Sequence, residues 1–140
     1  MGKKTNTGLE WKGNMSFEAE VTGHKFMIDA DAAVGGQDKG PRPKPLMLAA
    51  LSGCTAMDVI PILKKMRVTP DAFRVDVEAN NTEEHPKHYD AFTIFYKFKG
   101  KDLPKDKIEK AVSLSQERYC GVSYMLAKAA HIDYKIIIEE

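Results

Sequence analysis

Cysteine is scarce in this chain, with only Cys54 and Cys120 among 140 residues. Two cysteines leave four readings open: a structural disulfide, two buried thiols, part of a metal site, or a redox pair. Charge of one sign is lacking too, since 21 Lys and Arg face 20 Asp and Glu for a formal +1. That balance argues against a nucleic-acid or anionic-membrane partner, which would show as a basic excess or stripe. The longest uninterrupted apolar stretches fall short of a membrane span. The polar start Gly2 to Gly8 has no secretory signal pattern. A cytoplasmic location is the expectation, and there a permanent structural disulfide is disfavoured. Internal repeats, linkers and low-complexity segments are absent. Hydrophobic residues at 43% and charged residues at 29% are ordinary for one globular domain of this length.

Residues 1–8 read as a frayed leader and residues 9–140 as a single domain. Trp11, Met15, Phe17, Ala19 and Val21 keep a period of two, with a hitch at Gly13-Asn14. Thr22-Gly23 is a turn signal, and His24 to Ala30 places Phe26 and Ile28 on one face. The pattern predicts a β-hairpin. Residues 35–45 are too rich in Gly and Pro for a helix or central strand, and Pro45 suits the first turn of a helix. Leu46 to Met66 is that helix. Its first half is apolar or small on every side, so it should be buried all round. Phe73 to Ala79 and Tyr89 to Phe98 alternate as strands. Pro104 opens a helix reaching about Arg118, with Ile108, Ala111, Val112 and Ser115 on its buried side. Gly121 interrupts it, Val122 to Ala130 forms a second short helix, and Ile132 to Ile138 is a closing strand. The order is ββαββααβ, an α+β domain. A helix buried on all sides is more than five strands and two short helices can cover, which points to a second copy of the chain.

Cys54 sits among small residues, Ser52-Gly53-Cys54-Thr55-Ala56. A thiol is a nucleophile only as thiolate, which needs a nearby cation, donors or a helix N-terminus. Cys54 lies about two turns inside its helix, beyond the strongest part of the dipole. Asp58, one turn on, opposes ionisation, so an activating group must come from elsewhere in the fold. An inert buried cysteine is the competing reading. Cys120 stands at the break between two helices, where it can meet the free amides of the second, with Arg118 two residues back. It is either a mobile resolving thiol or a cap-region residue of no consequence. His85 and His88, beside Glu83 and Glu84, have a ligand-like gap, but no cysteine is near in sequence and the loop is polar. A solvated charged loop is the reading adopted, with no metal and no bound cofactor. The Gly35-Gly36 loop lacks the spacing of a phosphate cradle.

The segment from Gly40 to Val59, GPRPKPLMLAALSGCTAMDV, closely resembles the central helix of the OsmC/Ohr superfamily. Glu117 to Ser123, ERYCGVS, is similar to that family's second-cysteine motif. The resemblance implies an intertwined homodimer, its central helices wrapped by sheets of both chains, with sites at the interface. It also implies a thiol peroxidase for organic hydroperoxides or hydrogen peroxide. Cys54 would become a sulfenic acid, Cys120 would resolve it as a disulfide, and a dithiol reductant would reopen that disulfide. Peroxidases of the superfamily use an arginine from the N-terminal hairpin and a glutamate near the start of the central helix. Here the hairpin has Lys12 but no arginine, and Lys44-Pro45 stand at the helix start. Arg42, Arg118 and Lys12 are the candidate cations, with Arg118 preferred for its closeness to Cys120. The alternative is a non-enzymatic dimer of this fold that binds a small apolar ligand or partner; a metal-binding variant using His85 and His88 is a third.

Overall fold

The structure, a computed structural model, describes residues 2–140; Met1 of the expected leader lies outside the described residues. Within it two compact units are distinguished, one up to Met47 and one over Leu48–Glu140. The elements confirm an α+β fold.

In the first unit β1 (Thr7–Trp11), β2 (Phe17–Val21) and β3 (His24–Ile28) form an antiparallel meander in that order. The hairpin expected from sequence is therefore one strand short. Gly13 and Asn14 have φ of 99° and 49°, and Lys12 N–H donates to the Ser16 carbonyl at 2.9 Å, so the hitch is a full turn. The period of two runs across it because Trp11 pairs with Phe17. Paired residues share a face, and a connection with an odd number of residues preserves the parity of the pattern. The first strand begins at Thr7, two residues inside the expected leader. Thr22 and Gly23, at φ of 49° and 81°, make the expected two-residue hairpin turn, which needs positive φ at both positions.

Asp29 organises the Gly- and Pro-rich loop after β3. It is buried, and its carboxylate accepts from the Ser16 hydroxyl at 2.8 Å and from the amides of Ala30, Gln37 and Lys39 at 2.7, 3.3 and 3.2 Å. The loop packs closely: a Cβ on Gly36 would fall 1.9 Å from the Ala30 carbonyl oxygen. Burial alone would raise the Asp29 pKa, but the four hydrogen bonds outweigh it and hold the carboxyl below its ordinary value. The ionised form is thus favoured on folding. Its contribution is present above the unfolded carboxyl pKa and is lost as pH falls through the lower folded value. Asp29→Asn should speed hydrogen exchange at the Gln37 and Lys39 amides at neutral pH; unchanged protection would show that the loop does not depend on this carboxylate.

The second unit holds most of α1 (Leu46–Lys65), then β4 (Ala72–Asn81), β5 (Tyr89–Lys99), α2 (Lys105–Leu114), a π-helical turn (Ser115–Tyr119), α3 (Gly121–Leu126) and β6 (His131–Glu139). Its sheet runs β4-β5-β6, antiparallel and then parallel. β5 is central, and its alternation buries Phe92, Ile94, Tyr96 and Phe98. These side chains join Leu51, Val59 and Leu63 of α1 and Ile108, Ala111 and Val112 of α2 in one core. Burying an aliphatic or aromatic side chain of this size contributes about 1.5–3 kcal/mol.

The expectation that α1 is buried on all sides is not met within one chain. The buried positions are Leu51, Thr55, Val59 and Leu63, a single stripe at every fourth residue. Met57 is 78% exposed, and Met47 and Ile60 are each 43% exposed. By length and composition α1 is apolar enough to cross a membrane, although no single run of apolar residues is. Its stripe lies in the core of the second unit.

Candidate functional site

The break after α2 has a specific backbone cause. The Cys120 N–H donates to the Ser115 carbonyl at 2.8 Å, five residues back, which inserts one residue beyond the α-helical repeat. Cys120 then turns extended, with φ −75° and ψ 101°, and caps α3. Its sulfur accepts from the Ser123 N–H at 3.4 Å, the meeting with a helix-start amide expected from sequence. Cys120 is buried, Cys54 on α1 is half-buried, and both thiols are free. Both pack into the core of the second unit, where the Cys54 thiol is a neighbour of the Cys120 thiol. Burial pushes the Cys120 thiol pKa up, the Ser123 hydroxyl and amide pull it down, and the neighbouring Cys54 raises it again. The Ser123 hydroxyl lies against the sulfur without a partner of good hydrogen-bond geometry, so the N–H contact is the better defined of the two.

Around the pair runs a buried polar network. The Ser115 hydroxyl donates to Asp58 Oδ2 at 2.8 Å. It has one proton, so at its 2.7 Å contact with the Thr55 hydroxyl it must accept. Thr55 therefore accepts at its 2.5 Å contact from the Tyr96 hydroxyl. The Gln116 amide donates to Tyr96 at 2.8 Å and to Thr55 at 3.2 Å. Every hydroxyl is thereby used, and the donors all point along one direction toward Asp58. Burial raises the Tyr96 pKa to about 12, so the phenol remains a donor at neutral pH.

The three candidate cations are placed differently. Lys12 pairs with Glu10 at 2.8 Å, and Arg42 pairs with Asp38 at 2.5 Å and Asp31 at 3.4 Å, all within the first unit. Arg118 is exposed on the π-helical turn, its guanidinium 5.8 Å from the centre of the Tyr119 ring. His85 and His88 line a cavity of about 600 Å³ with Glu83, Glu84 and Asp90. Among the described residues no group of three or more His, Cys, Asp or Glu is placed to hold a metal ion. A smaller cavity of about 380 Å³ is lined by Gln116, Ser123, Tyr124, Lys128, Ile132 and Tyr134 among others, and neither cysteine lines it.

A family model for OsmC-like proteins matches residues 36–135, a span that contains both cysteines and the whole network. The chain belongs to the OsmC-like protein family. Protein YhfA of Escherichia coli strain K12 is 32% identical over 127 residues, covering 90% of this chain and 92% of its own. A hypothetical protein from Aquifex aeolicus superposes with a TM-score of 0.84 at 26% identity, covering 99% of this chain and all of the other. A Legionella pneumophila protein described as an organic hydroperoxide resistance protein superposes with a TM-score of 0.69, covering 99% and 98%. At 14% identity that last likeness establishes the fold alone.

Sequence reasoning about this OsmC-like chain found the two thiols but missed Thr55, Tyr96, Ser115, Gln116 and Ser123 as their surroundings. A signal was available. Thr55, Ser115 and Tyr96 are polar residues at positions where the helix and strand patterns demand burial, and buried hydroxyls need partners. The network makes one spectroscopic prediction. In an ultraviolet pH titration Tyr96 should ionise only near pH 12, and Tyr96→Phe should remove that late component. A titration curve whose latest step is unaffected by the substitution would contradict the buried donor role.

Proposed function

We propose that this OsmC-like protein is a thiol-dependent peroxidase for organic hydroperoxides or hydrogen peroxide. The observation that carries the reading is the adjacency of two free thiols, one half-exposed on a helix and one buried at a helix break. The Cys54 thiolate attacks the outer oxygen of the O–O bond. That bond breaks, Cys54 becomes a sulfenic acid, and the departing alkoxide or hydroxide takes a proton to leave as alcohol or water. The Cys120 thiol then attacks the Cys54 sulfur; a disulfide forms and water leaves. A dithiol reductant returns both thiols and is itself oxidised to a disulfide. Three proteins of the same fold are described as organic hydroperoxide resistance proteins, which supports the substrate class.

The working unit is a cytoplasmic homodimer in which residues 9–140 serve as one domain. The exposed apolar residues of α1, Met57 and Ile60, and of β1, Leu9 and Trp11, supply the apolar surface for the second copy. Arg118, exposed on the π-helical turn, is the cation assigned to the thiolate. Sedimentation should give twice the chain mass of 15.6 kDa. Reduced protein with dithiothreitol should consume cumene hydroperoxide continuously and far faster than dithiothreitol alone. A rate equal to that of the reagent alone would remove the peroxidase reading.

A further inference from the structure

Ser115 is fully buried and hydrogen-bonds both to the helix that carries Cys54 and to Cys120 itself. Its hydroxyl is gripped by two residues of the Cys54 helix, Thr55 at 2.7 Å and Asp58 at 2.8 Å, which flank Cys54 on the C-terminal side. Its carbonyl accepts the N–H of Cys120 at 2.8 Å. Ser115 thus ties the Cys54 helix, through its side chain, to the backbone of Cys120, through its carbonyl. α2 stays regular up to Leu114, and the π-helical turn starts at the clamped residue. The extra residue of that turn is what delivers Cys120 to the end of the helix rather than to its next face.

We propose, resting on the peroxidase reading for the role of the pair, that Ser115 is its positioning residue: clamped between Thr55 and Asp58, it sets the reach between the Cys54 and Cys120 sulfurs. Two thiols bond only when their Cα atoms fall within about 7 Å and their Cβ vectors converge, so a small displacement of the turn is enough to separate them. A hydroxyl held by a carboxylate on one side and a second hydroxyl on the other fixes the turn in translation and rotation. Packing by apolar side chains alone leaves more freedom to slide. Ser115 touches no substrate and exchanges no proton with one; its effect is on the probability that the two sulfurs meet.

The test needs no hydroperoxide, so that positioning and peroxide chemistry fail separately. Reduced protein is equilibrated with mixtures of reduced and oxidised glutathione. One oxidised glutathione and the two protein thiols give the protein disulfide and two reduced glutathiones. Mass spectrometry of the alkylated mixture yields the effective concentration of the pair. Ser115→Ala should lower it by at least about tenfold, because the gain from holding two groups together is lost steeply with misplacement. Thr55→Val, which keeps the shape but removes one arm of the clamp, should lower it in the same direction. Thr55→Ser, which keeps the hydroxyl, should stay within about twofold of the natural chain. Ile108→Val opens a small cavity on the same helix about two turns before the clamp; it should reduce stability and leave the effective concentration within about twofold. Equal values for all five proteins would overturn the assignment, as would a fall in Ile108→Val as large as that in Ser115→Ala. Failure of the natural chain to form the internal disulfide would overturn it as well.

Discussion

Cys54→Ser is expected to lower hydroperoxide consumption to background, a loss of at least about a thousandfold, in a chain that remains folded. A serine hydroxyl is far too weakly acidic to supply an anion at neutral pH, and oxygen is a poor nucleophile toward an O–O bond compared with sulfur. Losses of that order or larger follow when a nucleophile that works with a partner is removed. The fold should tolerate the change. Cys54 is half-buried rather than in the sealed stripe of α1, which is formed by Leu51, Thr55, Val59 and Leu63. Steady-state consumption of cumene hydroperoxide with dithiothreitol, read beside a thermal melt, checks both parts. A folded Cys54→Ser protein that still turns over would remove Cys54 from the chemistry.

The second large effect is expected from Cys120→Ser, and it differs in kind. The first oxidation survives, but the sulfenic acid on Cys54 has no thiol neighbour to close on. Its lifetime should lengthen by at least about a hundredfold, since an intramolecular partner is lost and only reagents from solution remain. Trapping with dimedone should label Cys54 in this variant and scarcely in the natural chain. With excess peroxide the label should give way to irreversible sulfinic acid. In the natural chain closure should quicken with rising pH well into the alkaline range. Cys120 attacks as thiolate, and burial, the largest cause, holds its pKa above the ordinary thiol value. A sulfenic acid equally short-lived in both proteins would show that Cys120 does not resolve it.

Much of this was legible in the chain because local rules and tertiary structure agree. The alternation of β5 buries Phe92, Ile94, Tyr96 and Phe98 as its pattern requires, and Ile108, Ala111 and Val112 of α2 with Ser115 of the turn that follows it form one buried side as their spacing requires. Three features were not. The turn at Gly13-Asn14 was hidden because an odd-length connection leaves the period of two intact across it. The exposure of Met57 and Ile60 could not be read from composition, since an apolar helix face looks the same whether its cover comes from its own chain or another. The partners of the thiols were missed because they come from α1, β5 and the π-helical turn, residues as far apart as Thr55 and Ser115. Spacing along the chain carries no information about such meetings until the core has assembled. Asp58 illustrates the point: sequence cast it as a charge that opposes ionisation of Cys54 unless a cation neutralises it, and the fold gives it the Ser115 hydroxyl.

The most direct measurement is the mass of the fully reduced protein, alkylated within seconds of adding one equivalent of cumene hydroperoxide. The account predicts that both thiols are lost together, with a single bond joining the peptides of Cys54 and Cys120. Two free thiols after an hour, or a bond between chains instead of within the pair, would contradict it.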